Sequence, residues 1–230
     1  MNKTITMAAL CLAMLAVAYF TSSTTLEMVA TITGLLSVWL TARENIWAWP
    51  IGLINVACFF YMFWDVKLYA DMTLQVFFFA LSIYGWIVWL TKRGSGRVRP
   101  TRRIGRGLAI GLLLLLPLVT WGWGAWLAAY TDASIPYADA FIATLSLIAQ
   151  YLLSYKILEN WYCWLLVDVL SVGMYAYKEL YAVAFLYVIF LAITATGLYS
   201  WHKQWRAANS ANVGYGDSEA RHRGEIGYER

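Results

Sequence analysis

Lys92-Arg-Gly-Ser-Gly-Arg-Val-Arg-Pro-Thr-Arg-Arg-Ile-Gly-Arg106 separates two long apolar runs, and its place in the chain decides how the protein is threaded. The runs on either side, 69–91 and 107–129, are each long enough to cross a bilayer core of ~30 Å, which takes about 20 apolar residues as a helix. A short loop with seven Lys and Arg beside two spans stays on the cytoplasmic side of the membrane. Working outward from it, further apolar segments fall at 5–20, 27–42, 47–64, 137–156, 161–177 and 180–202. Alternating these eight across the bilayer puts Lys3, Arg43, Lys156 and the basic residues from Lys203 onward on the loop's side. Only Lys67 and Lys178 fall opposite, so fifteen of the seventeen Lys and Arg obey one orientation, with both termini cytoplasmic. The segments lack the apolar–polar alternation of barrel strands, so the spans are read as helices.

The composition excludes most other classes. The chain is 61% hydrophobic and only 13% charged, where a soluble domain has about a quarter of its residues charged. Its mean hydropathy is +0.59. Both histidines, His202 and His222, lie at or beyond the last apolar segment, which leaves no His for a triad or metal site at membrane depth. There is no GxxxxGK[ST] run for a nucleotide. Cys11, Cys58 and Cys163 sit inside apolar segments without metal-like spacing and read as thiols with no disulfide role. The chain is therefore not read as an enzyme, and no catalytic residue, metal or cofactor is expected. Segment 5–20 contains Ala16-Val17-Ala18, which is similar to a signal-peptidase site, but its apolar run continues through Phe20 and it is read as a retained helix. From about Arg206 the chain turns polar and reads as a disordered tail.

Landmarks recur at domain scale. Glu44 and Glu159 are each followed five residues later by Trp, as Trp49 and Trp164. Leu68-Tyr69 answers Leu180-Tyr181, with Gly85 and Gly197 sixteen residues after the Tyr and Trp89 and Trp201 at twenty. The interval is 115 at the Glu and 112 at the Tyr, which predicts one loop three residues shorter in the second copy. Two three-helix units that both run from outside to inside need an odd number of helices between them, and segment 107–129 supplies that one. The expected architecture is all-α with about eight membrane helices. It comprises an N-terminal helix (1–26), a first repeat (27–91), a basic loop with linker helix (92–136), a second repeat (137–205) and a tail (206–230). Parallel repeats around a linker are a transporter design, with substrate near mid-membrane between the halves.

An ionisable residue within a membrane helix costs about 2.5–3.5 kcal/mol on insertion scales, so it marks function by default. Asp168 lies seven residues beyond Trp161, ~10 Å into its helix. Trp161, Trp164, Asp168, Ser171 and Tyr175 are spaced 3, 4, 3 and 4, which puts them on one helical face. A carboxylate among indoles suits a flat aromatic cation, through stacking, cation–π attraction and charge pairing. Asn55, Gln75 and Gln150 supply amides at similar depth in other segments. Asp71 and Asp139 lie nearer the outer boundary, and Arg43, Glu44, Lys156 and Glu159 at the inner ends read as snorkelling anchors.

These landmarks resemble the PnuC-type vitamin transporters, a family named for uptake of nicotinamide riboside. The matching text is Gly52-Leu-Ile-Asn55, Leu68-Tyr69, Leu74-Gln75, Phe77-Phe-Phe and Ile83-Tyr-Gly-Trp86 in the first copy. In the second it is Glu159-Asn-Trp161-Tyr-Cys-Trp164, with the family's WxxW, and Val169-Leu-Ser-Val172. The resemblance covers about residues 27–205. It implies a 3+1+3 helical fold in a bacterial inner membrane, commonly a homotrimer. Transport is then facilitated diffusion, with a cytoplasmic vitamin kinase trapping the product. It also implies substrate contacts at Trp161, Trp164, Asn55 and Gln75, with Tyr187 at the second-copy position of Gln75. The partners so implied are a small vitamin and membrane lipid, and no nucleic acid. Asp168 stands where nicotinamide riboside carriers often have Asn and thiamine-associated relatives have Asp. The reading therefore leans to thiamine, with nicotinamide riboside a close alternative and riboflavin or a proton-coupled vitamin carrier behind.

Overall fold

The computed structural model describes residues 19, 24–65, 69–91 and 98–226. Segment 5–20 apart from Tyr19, the Leu68 of the Leu-Tyr pair, Lys67, and the first half of the basic loop lie outside them. Seven helices occur among the described residues: α1 (Thr25–Ala42), α2 (Ala48–Asp65), α3 (Tyr69–Thr91), α4 (Arg106–Tyr130), α5 (Pro136–Ser154), α6 (Asn160–Tyr177) and α7 (Tyr181–Ile226). The last helix departs from the expected tail. It continues without a break to Ile226, through a stretch that has several alanines, the best helix formers, and no proline to halt it.

Local chemistry sets the ends. Thr24 caps α1 through a reciprocal box in which its hydroxyl accepts from the Glu27 N–H (3.2 Å) and the Glu27 carboxylate accepts from the Thr24 N–H (3.3 Å). Helices α1, α5 and α6 stop at a residue in the left-handed region, Glu44 (φ 55°), Lys156 (φ 56°) and Glu179 (φ 59°). Each stop carries the paired Schellman bonds, for example Asn45 N–H to Leu40 O (2.9 Å) and Ile157 N–H to Leu152 O (2.9 Å). Tight reversals follow, so neighbours in sequence become antiparallel neighbours in space.

Among the described residues, five helices are long and apolar enough to cross a membrane: α1, α3, α4, α5 and α7. The two that fall short, α2 and α6, are 18 residues each and carry the Asn, Asp and Trp side chains that the sequence places at membrane depth. Helices α1–α3 pack in order, as do α5–α7, while α3 lies against α5 and α7 against α1. Six helices thus close a ring. Helix α4 packs on α5 and exposes Leu113, Leu114, Leu118 and Trp121 around its outer side. Such an apolar exterior belongs to a multi-pass membrane protein, whose solvent is lipid.

The ring is held at the end carrying the basic loop by contacts that recur 112 residues apart. Trp49 lies against Gly85 and meets Trp89 edge-to-face (5.3 Å, 87°), while Trp161 lies against Gly197 and meets Trp201 likewise (5.4 Å, 87°). The Trp89 indole N–H donates to Leu153 O and that of Trp201 to Thr41 O, both at 3.1 Å. These contacts match Trp49 to Trp161 rather than to Trp164, and Glu44 to Lys156 rather than to Glu159. The interval is uniform, and no shorter loop is needed. The WxxW pair misleads a comparison by residue type, because its second Trp stands one turn further along the helix.

Glu44 and Lys156 also correct their reading as snorkelling anchors. Lys156 is 1% exposed, with its ammonium 3.2 Å from a Glu44 carboxylate oxygen and over the rings of Trp89 (4.9 Å) and Trp201 (5.4 Å). Burial pushes its ammonium below the ordinary lysine range, and the adjoining Glu44 carboxylate pulls it back up. The second half of the basic loop crosses this end. Thr101 donates to Glu44 (3.1 Å), Arg102 N–H to Lys156 O (3.0 Å), and the Arg103 guanidinium pairs with Glu159.

Candidate functional site

A cavity of about 1180 Å³ fills the middle of the ring, and every helix of the ring contributes to its wall. Its floor, at the basic end, is made by Trp49 and Trp161, which are 4% and 1% exposed. One helical turn above Trp161 stands Trp164, and at mid-depth Asn55 on α2 faces the same space as Asp168 on α6. Towards the opposite end come Gln75 on α3 and Tyr187 on α7, the latter stacked on Tyr175 (5.3 Å, 21°). The rim there is acidic, with Asp71, Asp132 and Asp139, and Lys178 pairs with Asp139 at 3.0 Å. Asp132 and Tyr130 are exposed, so the cavity reaches the surface at this end and stops at buried tryptophans at the other.

Asp168 is the chemical centre of the wall. It is 4% exposed, and one carboxylate oxygen accepts a hydrogen bond from the Thr194 hydroxyl of α7 (2.9 Å). None of the ion pairs among the described residues involves it. A buried carboxylate without a cation is costly, because the interior replaces water's solvation with very little. Apart from the Thr194 hydroxyl, the open side of this carboxyl group is the cavity.

The amides around it are partly committed. Asn55 donates to Ala30 O across α1 and α2 (2.7 Å), and Gln150 donates to Ser82 across α3 and α5 (3.1 Å). Gln75 is buried at the wall. Among the sequence candidates, Asn55, Gln75, Trp161, Trp164, Asp168 and Tyr187 all line the one cavity. Ser171 does not: it is fully buried and lies off the cavity surface, although the 3–4 spacing puts it on the same stripe. Besides lining the cavity, Trp161 wedges against Gly197 and Trp201 as a structural element. The sequence reading missed Thr194, Trp49 and the α4 residues Trp123 and Trp126, all of which reach the wall. Trp49 was legible as the counterpart of Trp161 once the repeat interval is uniform. Thr194 falls seven residues after Tyr187, hence on its face of α7, but it stands in an apolar run and carries no other signal. Among the described residues no group of three His, Cys, Asp or Glu side chains gathers to hold a metal, and Cys58 and Cys163 are free.

Comparison with known proteins places this geometry. The nicotinamide mononucleotide transporter family matches residues 24–203. The chain is 30% identical over 210 residues to the nicotinamide riboside transporter PnuC of Escherichia coli, covering 80% of this chain and 88% of that protein. It is 28% identical over 180 residues to the riboflavin/roseoflavin transporter RibM of Streptomyces davaonensis, covering 76% and 83%. The nicotinamide riboside transporter PnuC of Neisseria mucosa is 24% identical over 196 residues, covering 80% and 74%. Among solved structures, that of the vitamin B3 transporter PnuC superposes with a TM-score of 0.70 at 20% identity, over 89% of this chain and 92% of that one.

Proposed function

The chain belongs to the nicotinamide mononucleotide transporter family, and on that premise we propose that it carries nicotinamide riboside across the membrane by facilitated diffusion. The observation that carries the reading is Asp168, a buried carboxylate on the cavity wall with a hydroxyl donor but no ion-pair partner among the described residues. The pyridinium ring of the riboside is flat and permanently cationic. It can stack on Trp164 above the indole floor while its charge meets Asp168. Its ribose hydroxyls then find Asn55, Gln75 and Tyr187.

The lean to thiamine is not kept. It rested on the residue type at 168, and charge cannot choose between two ligands that are both permanent cations. Of the three named relatives, those at 30% and 24% identity are nicotinamide riboside transporters, the one at 28% is a riboflavin transporter, and none is a thiamine transporter. The riboflavin relative favours a different ligand, but an uncharged ring placed beside Asp168 leaves that carboxylate without a counter-charge.

The architecture goes with this function. Two parallel three-helix repeats around the linker α4 account for the contacts spaced 112 residues apart and for the closed ring. The basic end is the cytoplasmic one, in a bacterial inner membrane, by the rule that short basic loops stay inside. The cavity then opens outward here, and release of substrate needs the Glu44–Lys156 end to part. A homotrimer and a cytoplasmic kinase that phosphorylates the arriving riboside complete the reading. Calorimetry on the purified protein tests the substrate: nicotinamide riboside binds with a Kd of ~1 μM or tighter, and thiamine and riboflavin at least ten-fold more weakly. Tighter binding of thiamine or riboflavin overturns the assignment.

A further inference from the structure

We propose that Thr194 is a specificity-determining residue, which holds Asp168 in place so that the cavity prefers a cation over an uncharged ligand of the same shape. The inference rests on the substrate reading above and goes one residue deeper into the same site.

The departure is in how this threonine uses its proton. A threonine in a membrane helix ordinarily donates to a carbonyl one turn back in its own helix. In this protein Thr33 does so to Val29 O (2.7 Å), Thr41 to Ser37 O (2.8 Å), Thr91 to Ile87 O (2.8 Å) and Thr144 to Ala140 O (2.7 Å). Even Thr196, two residues along α7, bonds back to Ile193 O (2.7 Å). Thr194 instead reaches across to α6 and donates to Asp168 Oδ2 (2.9 Å). It is 2% exposed and lines the cavity. A hydroxyl has one proton, so this choice leaves none for its own helix.

The position 112 residues earlier also meets a wall side chain from another helix, though as an acceptor. Ser82 holds another polar side chain of the wall, accepting from the Gln150 amide (3.1 Å). Both halves thus use a buried hydroxyl on the third helix of the triplet to tether a cavity side chain from another helix. In the second half the tethered group is the carboxylate. With Oδ2 engaged, the torsion of the Asp168 side chain is set before any ligand arrives, and the cation is met by an acceptor that needs no reorganisation. Losing the donor frees the carboxylate to turn and removes a charge-assisted bond. An uncharged ligand draws little from that carboxylate and so gains little from its being held.

The test uses the purified full chain and two ligands of one skeleton: nicotinamide riboside, and its dihydropyridine form, which lacks the positive charge. Their affinities are measured by calorimetry for wild type, Thr194→Val and Thr194→Ser. Wild type prefers the cation. Thr194→Val, close in shape but without the hydroxyl, weakens cation binding about ten-fold and changes the uncharged ligand less than about two-fold. Thr194→Ser, which keeps the donor, retains the wild-type preference. Equal loss for both ligands in Thr194→Val assigns the residue a merely structural part and overturns the proposal, as does an unchanged cation affinity. If wild type itself binds neither ligand, the substrate reading fails and this inference with it.

Discussion

Replacing Glu44 with Gln removes the partner of a buried ammonium while keeping the size of the side chain. Lys156 is 1% exposed and its Nζ lies 3.2 Å from the carboxylate, which is itself 16% exposed. At that separation, with an effective dielectric constant of about 20, the attraction is ~5 kcal/mol. The Trp89 and Trp201 faces still solvate the cation, each contributing roughly 0.5–2 kcal/mol. Their residual help, and the partial exposure of Glu44, bring the expected loss to about 3 kcal/mol, the low end for breaking a buried pair. Removing both charges, as Glu44→Gln with Lys156→Met, leaves no stranded ion and costs about 1 kcal/mol or less. Equilibrium unfolding in mixed micelles, with titrated denaturing detergent, measures all four members of the cycle. The expected coupling is about 2–3 kcal/mol. If the double variant is as unstable as the sum of the single ones, the pair contributes nothing and the argument for a charge-locked end is refuted.

Two further perturbations separate frame from site. A Cβ at Gly85 would lie 2.2 Å from the Trp49 ring and one at Gly197 2.4 Å from the Trp161 ring, so either Gly→Ala change destabilises by about 1–3 kcal/mol in the same unfolding assay, whereas Gly111→Ala, with nothing within 4 Å, is near neutral. Trp164→Ala leaves unfolding nearly unchanged but weakens riboside binding by the value of one stacked ring, about 1–3 kcal/mol in calorimetry. Trp161→Ala lowers both binding and stability, the latter by about 3–5 kcal/mol, because the same side chain fills the contact with Gly197 and Trp201.

The helices were legible because lipid demands long apolar runs with little between them. The sequence reading of 69–91 coincides with α3, and 161–177 misses the start of α6 by one residue. The stripe Trp161, Trp164, Asp168 and Tyr175 was legible for the same kind of reason, since a helix repeats its faces every three or four residues. What failed were facts about partners. Ser171 shares the spacing of that stripe, yet which flank of α6 meets α7 and which meets the cavity depends on the rotation of the helix in the ring. Lys156 looks like an interfacial lysine until Glu44, more than a hundred residues away, is brought beneath it by the closing of α1 on α7 and α3 on α5. Thr194 is silent in sequence because the unusual use of its proton is visible only when Asp168 is in place. The register of the repeat slipped by three residues because two tryptophans were available to match, and the contact with glycine selects the first.

Uptake of radiolabelled nicotinamide riboside into liposomes containing the purified protein tests the central claim most directly, with wild type and Asp168→Asn side by side. The account predicts saturable uptake by wild type that stops at equal concentrations inside and out, needs no pH gradient, and is inhibited by excess unlabelled riboside. It predicts that Asp168→Asn, reconstituted to the same level, takes up the cation at least ten-fold more slowly at low concentration. Uptake by wild type no faster than in protein-free liposomes, or an Asp168→Asn variant that carries the cation as well as wild type, would contradict it.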